Sequence, residues 1–260
     1  MFASVYRLII TGRMIFEYMN KPKMILFDYG GTLMSEPDFD PASGNAAIYP
    51  YICQNPHNIS LEEFGAYLLK LFDEIKALRG DLIEIHEHIF LRNVLEHFDM
   101  KLSVPLEEAE YITWNGISEP RQTPGAADML AFLRNNNIRT GVISNLCWSG
   151  SVLTRRLTEG FPEHNFEFIL ASSEYIFRKP DPHMFEMALH KSGLEKDEIW
   201  YVGNDMAADV VGAGSFGFHP VLYDDRSVPH NLYERNEKIK PDFSYSYVRN
   251  WDEFKDLLEA

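Results

Sequence analysis

Four short segments of the chain place residues able to do chemistry at the ends of apolar runs. In the first, Ile25 to Leu33, a carboxylate at Asp28 ends the run beside Gly30 and Gly31, and glycine lets a substrate approach the backbone closely. A carboxylate so placed can attack an electrophile such as phosphorus and form a covalent intermediate. The second, Gly141 to Asn145, brings the Ser144 hydroxyl and the Asn145 amide to a strand end, both able to donate to an oxyanion. The third, Arg178-Lys179-Pro180-Asp181-Pro182, sets a lysine among prolines that stiffen the approach to a helix and keep it out of helical pairing. The fourth, Tyr201 to Ala213, carries Asn204, Asp205 and Asp209, hard oxygen donors suited to a small divalent cation. Each also has a plainer reading: Asp28 and Thr32 as turn residues, Ser144 likewise, Lys179 as a solvated cation, and Asp205 and Asp209 as acids at a helix start.

The elements that position these groups are legible from apolar periodicity. Short runs at Met24 to Phe27, Ile138 to Ile143, Phe166 to Ala171, Ile199 to Val202 and Phe218 to Tyr223 read as strands. Helical segments alternate with them at Gly125 to Asn135, Ser149 to Glu159, Pro182 to Ser192 and Ala207 to Gly212. This alternation predicts an α/β fold, a Rossmann-like, mainly parallel sheet with helices on both faces. Residues 23–36 and 121–260 form the expected core, and 37–120, whose apolar residues follow a helical period, form an inserted α-helical domain. Within it Ser60 and Glu63 spell a capping box opening a helix through Ile75, with further helices expected over Leu82 to His97 and Leu106 to Trp114. Such an insert would sit over the carboxyl ends of the strands, where open α/β sheets bind ligands. Residues 1–22 read as a dispensable extension, with Met19 as an alternative start.

Composition narrows the function classes. The chain of 260 residues has 45% hydrophobic residues, enough for a sizeable core, and a formal net charge of −15. Such an acid excess disfavours a nucleic-acid partner, and an anionic substrate would need a local positive site. No run approaches a membrane span, Arg7, Arg13 and Glu17 interrupt any signal-like stretch, and two cysteines, Cys53 and Cys147, suggest neither a disulfide framework nor zinc. A cytoplasmic location is the expectation.

Taken in order, the four segments resemble the four motifs of the haloacid dehalogenase superfamily, and Pro124 to Leu133 resembles the helix before the second motif in members with a helical cap. The resemblance covers nearly all of the chain after residue 23. It implies a magnesium-dependent hydrolase of a small phosphorylated metabolite, acting through an aspartyl-phosphate. Asp28 would attack and ligate Mg2+, while Ser144 and Lys179 bind the phosphoryl group beside Gly31, Thr32 and Asn145. Gly30 would lend a carbonyl to the metal, and Asn204 or Asp205, with Asp209 behind, would complete its shell.

Two positions depart from the family pattern. Phosphatases of the family carry a second Asp where this chain has Gly30, and that Asp protonates the leaving oxygen. Its absence favours substrates with good leaving groups, such as acyl or aryl phosphates, or a surrogate acid from Glu36, Asp38 or Asp40. Asn204 stands where the family has Asp, with Asp205 one residue on. These departures keep open a catalytically weak member that binds a phospho-ligand or protein partner. Dehalogenase and phosphonate-cleaving chemistries rank lower: no Arg lies between Gly31 and Leu78, and Lys70 and Lys76 are only formal Schiff-base candidates. His86 and His88, lacking a matching acid in the sequence, read as surface or packing residues, Trp148 as a pocket or core residue, and Cys147 as unreactive.

Overall fold

The computed structural model describes residues 4–10, 13–19, 21–228 and 232–260, the first two ranges by backbone pairing alone. Its strands are β1 (Ser4–Ile10), β2 (Arg13–Met19), β3 (Met24–Phe27), β4 (Met34–Ser35), β5 (Ile52–Gln54), β6 (Lys101–Leu102), β7 (Arg121–Gln122), β8 (Arg139–Ser144), β9 (Phe166–Ala171), β10 (Ile199–Gly203), β11 (His219–Tyr223) and β12 (Tyr245–Val248). Eight of them form one sheet in the order β2-β1-β12-β11-β10-β3-β8-β9, parallel from β12 to β9. The fold is therefore the expected Rossmann-like α/β arrangement.

Alternation within β3 shows how the sheet is buried. Ile25 and Phe27 enter one apolar cluster, Met24 and Leu26 the other, and all four are fully buried. A strand covered on both faces reads as a continuous apolar run, which is why Met24 to Phe27 has no polar interruption. The first face is covered by α5 (Ala126–Asn135) and α6 (Gly150–Gly160), the second by α7 (Pro182–Ser192) and α8 (Gly212–Phe216). Helix α7 starts on Pro182, with Asp181 accepting from the His183 backbone N–H, and stops at Gly193 in the left-handed region.

The insert carries four helices where three were expected: α1 (Pro41–Ile48), α2 (Leu61–Arg79), α3 (Glu87–His97) and α4 (Leu106–Ile117). Helix α2 opens on the Ser60–Glu63 capping box. The additional α1 is capped by Asp40, which accepts from the backbone N–H groups of Ala42 and Ser43. Helix α3 begins five residues after Leu82, because the Glu84 backbone N–H bonds the Ile176 carbonyl and Ile83 bridges Phe177 instead of entering a helix. The insert has its own apolar cluster around Phe64, Leu91 and Val94, while Trp114 and Ile117 of α4 belong to the sheet's cluster. At its root β4 and β7 pair antiparallel, bringing the two chain crossings together.

Other expectations change. Residues 4–10 and 13–19, within the stretch read from sequence as a dispensable extension, form an antiparallel pair that joins the sheet edge against β12. The rest of that stretch, residues 1–3, 11–12 and 20, lies outside the described residues. The Ala207–Gly212 helix is a π-helical turn over Met206–Val211 running into α8. Beyond Tyr223 come α9 (Tyr233–Lys238), β12 and α10 (Trp251–Glu259), which carry no expected element. Trp251 of α10 packs edge-on against Phe27 and stacks on Tyr223, closing the first face. No helix of the described residues is long and apolar enough to cross a membrane.

One half-buried base in the sheet makes a pH prediction. His219 opens β11, its Nε2 lies 2.8 Å from Ser246 Oγ, and burial pushes its pKa down to about 3. A histidine depressed in the folded state contributes stability that is complete above the unfolded value near 6.5 and is lost as pH falls toward 3. Urea unfolding at pH 7, 6 and 5 should show stability falling by up to about 1.4 kcal/mol per pH unit from this group. His219→Gln should flatten that slope; an identical slope in both proteins would contradict it.

Candidate active site

The floor of a cavity of about 460 Å³ lies at the carboxyl ends of β3, β8 and β10. Asp28 follows β3 and is held there by its backbone N–H bonding the Val202 carbonyl at 2.9 Å. The chain then turns through Gly31, whose φ is +74°, a conformation glycine adopts without cost. A Cβ at Gly31 would sit 2.1 Å from Asn204 Nδ2, so the close approach of the two loops also requires glycine. Gly30 is exposed to the pocket, has an unstrained φ, and a Cβ there meets nothing within 4 Å.

Lys179 is the hub. Its Nζ donates to Asp28 Oδ1 at 2.8 Å, Asp209 Oδ1 at 2.7 Å, Tyr201 Oη at 2.5 Å and the Ile143 carbonyl at 3.0 Å, an ammonium shared among four acceptors. Burial pulls this ammonium's pKa down, but Asp209 and Asp28 outweigh it and hold the pKa above the ordinary lysine value. Burial raises the Asp209 carboxyl, with Lys179 opposing. Burial, then Asp209, likewise raises the Tyr201 phenol, which stays a neutral donor to the Ile143 carbonyl at 2.9 Å. Ser144, at the end of β8, donates to Asp28 Oδ1 at 3.3 Å. Both donors fall on Oδ1, and Oδ2 accepts no hydrogen bond among the described residues.

The remaining sequence-derived site residues divide. Asn145 clamps the Lys179 backbone, Oδ1 accepting the N–H and Nδ2 donating to the carbonyl, each at 2.8 Å. Its side chain thus positions Lys179 while still lining the cavity. Thr32 is fully buried away from the cavity lining, its hydroxyl without a hydrogen-bond partner among the described residues and its carbonyl accepting from Thr123 Oγ1 at 2.6 Å. Asn204 lies on the cavity floor with its amide against Gly31. Asp205 spends Oδ1 on the backbone N–H groups of Ala207 and Ala208 and Oδ2 on Arg235. Asp209 fits under the end of β10 because residue 203 is glycine: a Cβ there would lie 2.2 Å from Asp209 Oδ2.

Of the three candidate surrogate acids only Glu36 reaches the cavity. Its Oε1 receives the buried Arg156 Nη1 at 2.7 Å and the Tyr29 hydroxyl at 3.5 Å. Burial raises its carboxyl, with Arg156 opposing. Asp40 is committed to the α1 cap, and Asp38 is exposed beside Arg121 at 3.7 Å.

The walls contain residues that sequence reasoning missed, Phe39, Phe72, Arg79 and Trp114 from the insert side. From the core come Arg178, beside Lys179 in the third segment, and Trp148, which the sequence left between pocket and core. Arg79 and Arg178 both pair with the buried Glu84, Arg79 at 3.5 Å, which leaves two cations against one carboxylate on this wall. This wall thus carries one net positive charge, in a cavity whose lining also includes Asp28, Glu36, Asp205 and Asp209. The chain distance from Arg79 to Arg178 hides the pairing in sequence, and Tyr201 is indistinguishable there from its apolar neighbours.

A carboxylate at a strand end, a lysine bridging it to a second acid, and a hydroxyl beside them on a doubly wound sheet make a hydrolase site. The chain belongs to the haloacid dehalogenase-like hydrolase family, which residues 22–217 match. Among known proteins it is similar to the glyceraldehyde 3-phosphate phosphatase of Methanothermobacter thermautotrophicus, 24% identical over 241 residues that cover 91% of this chain and 99% of that one. Its fold is similar to that of a phosphatase from Thermococcus onnurineus, with a TM-score of 0.58 and 19% identity over 90% of this chain and 97% of the other. A 2-haloacid dehalogenase from Pseudomonas syringae pv. Tomato DC3000 shares the fold equally, with a TM-score of 0.58 and 18% identity over 92% and 98% of the two chains.

Proposed function

We propose that this hydrolase is a magnesium-dependent phosphatase of a small phosphorylated metabolite, working through an aspartyl-phosphate, with residues 37–120 as a cap over the site. The observation that carries the reading is the Lys179 ammonium held between Asp28 and Asp209 on the cavity floor. A dianionic phosphate could not approach an uncompensated carboxylate in such a desolvated place. Lys179 and Ser144 supply the compensation and orient Asp28, whose Oδ2 attacks phosphorus.

The floor carries hard oxygen donors, which fits magnesium: Asp28, the Gly30 carbonyl and Asn204 would hold it, with Asp209 behind them, its Oδ1 on Lys179 and its Oδ2 on the Asp205 backbone N–H, and Asp205 committed to its cap and Arg235. Bound there, the ion supplies Lewis-acid neutralisation of the phosphoryl oxygens. Arg79 and Arg178 attract the anionic substrate, and Phe39, Phe72 and Trp114 give the cavity its apolar wall.

Gly30 cannot deliver a proton to the leaving oxygen, and Glu36, the one nearby acid of the cap entry on the cavity wall, is tied to Arg156. Acyl and aryl phosphates, whose leaving groups depart without help, are therefore the preferred substrates. Hydrolysis of acetyl phosphate, p-nitrophenyl phosphate and a sugar phosphate with Mg2+ should show turnover of the first two and far slower turnover of the third. Asp28→Asn, expected to be silent on all three, is the control. No turnover above that control would favour a phospho-ligand-binding protein, the second reading, which Gly30 and Asn204 support. Chloride release from a haloacid would replace both with dehalogenation.

A further inference from the structure

His86, His88 and Glu110 converge beside, but outside, the Lys179 centre, with one donor atom from each lying within 4.8 Å of the others. The two histidines flank the start of α3 and the glutamate comes from α4, so the fold supplies the acid that sequence spacing did not. We propose that these three side chains form a second metal site, for zinc or a similar borderline divalent ion, distinct from the magnesium site and serving to pin the insert to the core.

The donor set is two imidazoles and a carboxylate, which suits zinc and disfavours magnesium. Glu110 is fully buried, and its carboxylate already accepts the Ser149 hydroxyl at 2.7 Å and the Ser149 backbone N–H, which fix its orientation from the start of α6. Outer contacts of this kind are what hold a ligand ready for a metal. The Nε2 atom of His88 is buried and lies 2.8 Å from Glu110 Oε2, yet makes no hydrogen bond with any described residue. The carboxylate oxygen and the ring nitrogen therefore lie close without hydrogen-bond alignment, a buried pair that an ion could bridge once the two atoms part to ligand spacing.

His86 completes the group with its ring 4.5 Å from that of His88, and Glu174 Oε1, 3.8 Å from His86 Nε2, is within reach as a fourth ligand. Ligands of a tetrahedral zinc ion lie about 3.3 Å apart for metal–ligand distances of about 2.0–2.1 Å, so small side-chain rotations close the shell. The His86 Nδ1 contact to the His88 backbone N–H, at 3.1 Å, is the bond given up. Because α3 and α4 belong to the insert and Ser149 and Glu174 to the core, a bound ion would fasten one to the other.

The test is titration of the full-length, metal-stripped protein with Co2+, followed by visible absorption and thermal melting. One equivalent giving tetrahedral d–d bands, a raised melting temperature and displacement by Zn2+ is expected. Asp28→Asn should bind unchanged, whereas His86→Ala, His88→Ala and Glu110→Gln should each weaken binding by at least about tenfold, since even indirect supports of a metal are worth that much. His86→Ala removes a partly exposed ring and guards against misfolding of the Glu110 variant. No uptake, uptake unaffected by all three variants, or uptake abolished by Asp28→Asn would overturn the proposal.

Discussion

Gly30→Asp is expected to raise turnover of an alkyl phosphate such as a sugar phosphate by about a hundredfold to ten-thousandfold, the usual value of general acid–base help. The site has room for the change: a Cβ at Gly30 meets nothing within 4 Å, its φ is not in the left-handed region, and the position opens onto the cavity. The new carboxyl would stand two residues from Asp28, able to protonate a departing alkoxide and then to activate water against the aspartyl-phosphate. Turnover of acetyl phosphate should change far less, because its leaving group needs no proton. Gly30→Asn, equal in size but unable to transfer a proton, should not reproduce the gain. Equal rates on the sugar phosphate for wild type, Asp and Asn would show that the missing acid does not limit this enzyme.

Lys179→Met should have the largest combined cost. Removing the shared cation leaves Asp28 and Asp209 facing each other in a buried place, and breaking a buried ion pair from one side typically costs about 3–5 kcal/mol. For a chain of this size that is a fall in melting temperature of roughly 6–20 °C. Activity should drop by at least about a hundredfold, as when one donor to a developing oxyanion is lost. The double variant Lys179→Met/Asp209→Asn separates the two effects: it removes the repulsion, so stability should return while activity does not. Recovery of neither would mean that Lys179 packs rather than neutralises.

The same pair sets an alkaline limit. Because Asp209 and Asp28 hold the Lys179 pKa above its unfolded value near 10.5, its contribution is complete below that value and is lost only as pH rises past the raised one. Around neutrality Lys179 is charged, so Asp28 keeps its counter-ion there.

Much of this architecture is local information. A continuous apolar run ending in Asp28, the proline-framed Lys179, the Pro182 start and Gly193 stop of α7 and the Ser60–Glu63 box are each dictated by a few adjacent residues obeying strand burial, φ restriction and capping. The strands and most core helices follow from them, as does the gathering of Asp28, Ser144, Lys179 and Asp209 at one sheet edge, since parallel strands bring their carboxyl ends together. Tertiary structure decided what depends on partners far apart in the chain. Asp205 is drawn off by Arg235, Asn145 by the Lys179 backbone, and Glu36 alone of three acids reaches the cavity, held by Arg156. Helix α10 is placed by Trp251 stacking on Tyr223, and the edge strands before residue 20 by the free side of β12. Local sequence fixes what a side chain can do; which neighbour occupies it is set by packing, and here that decided which carboxylates remain available for chemistry.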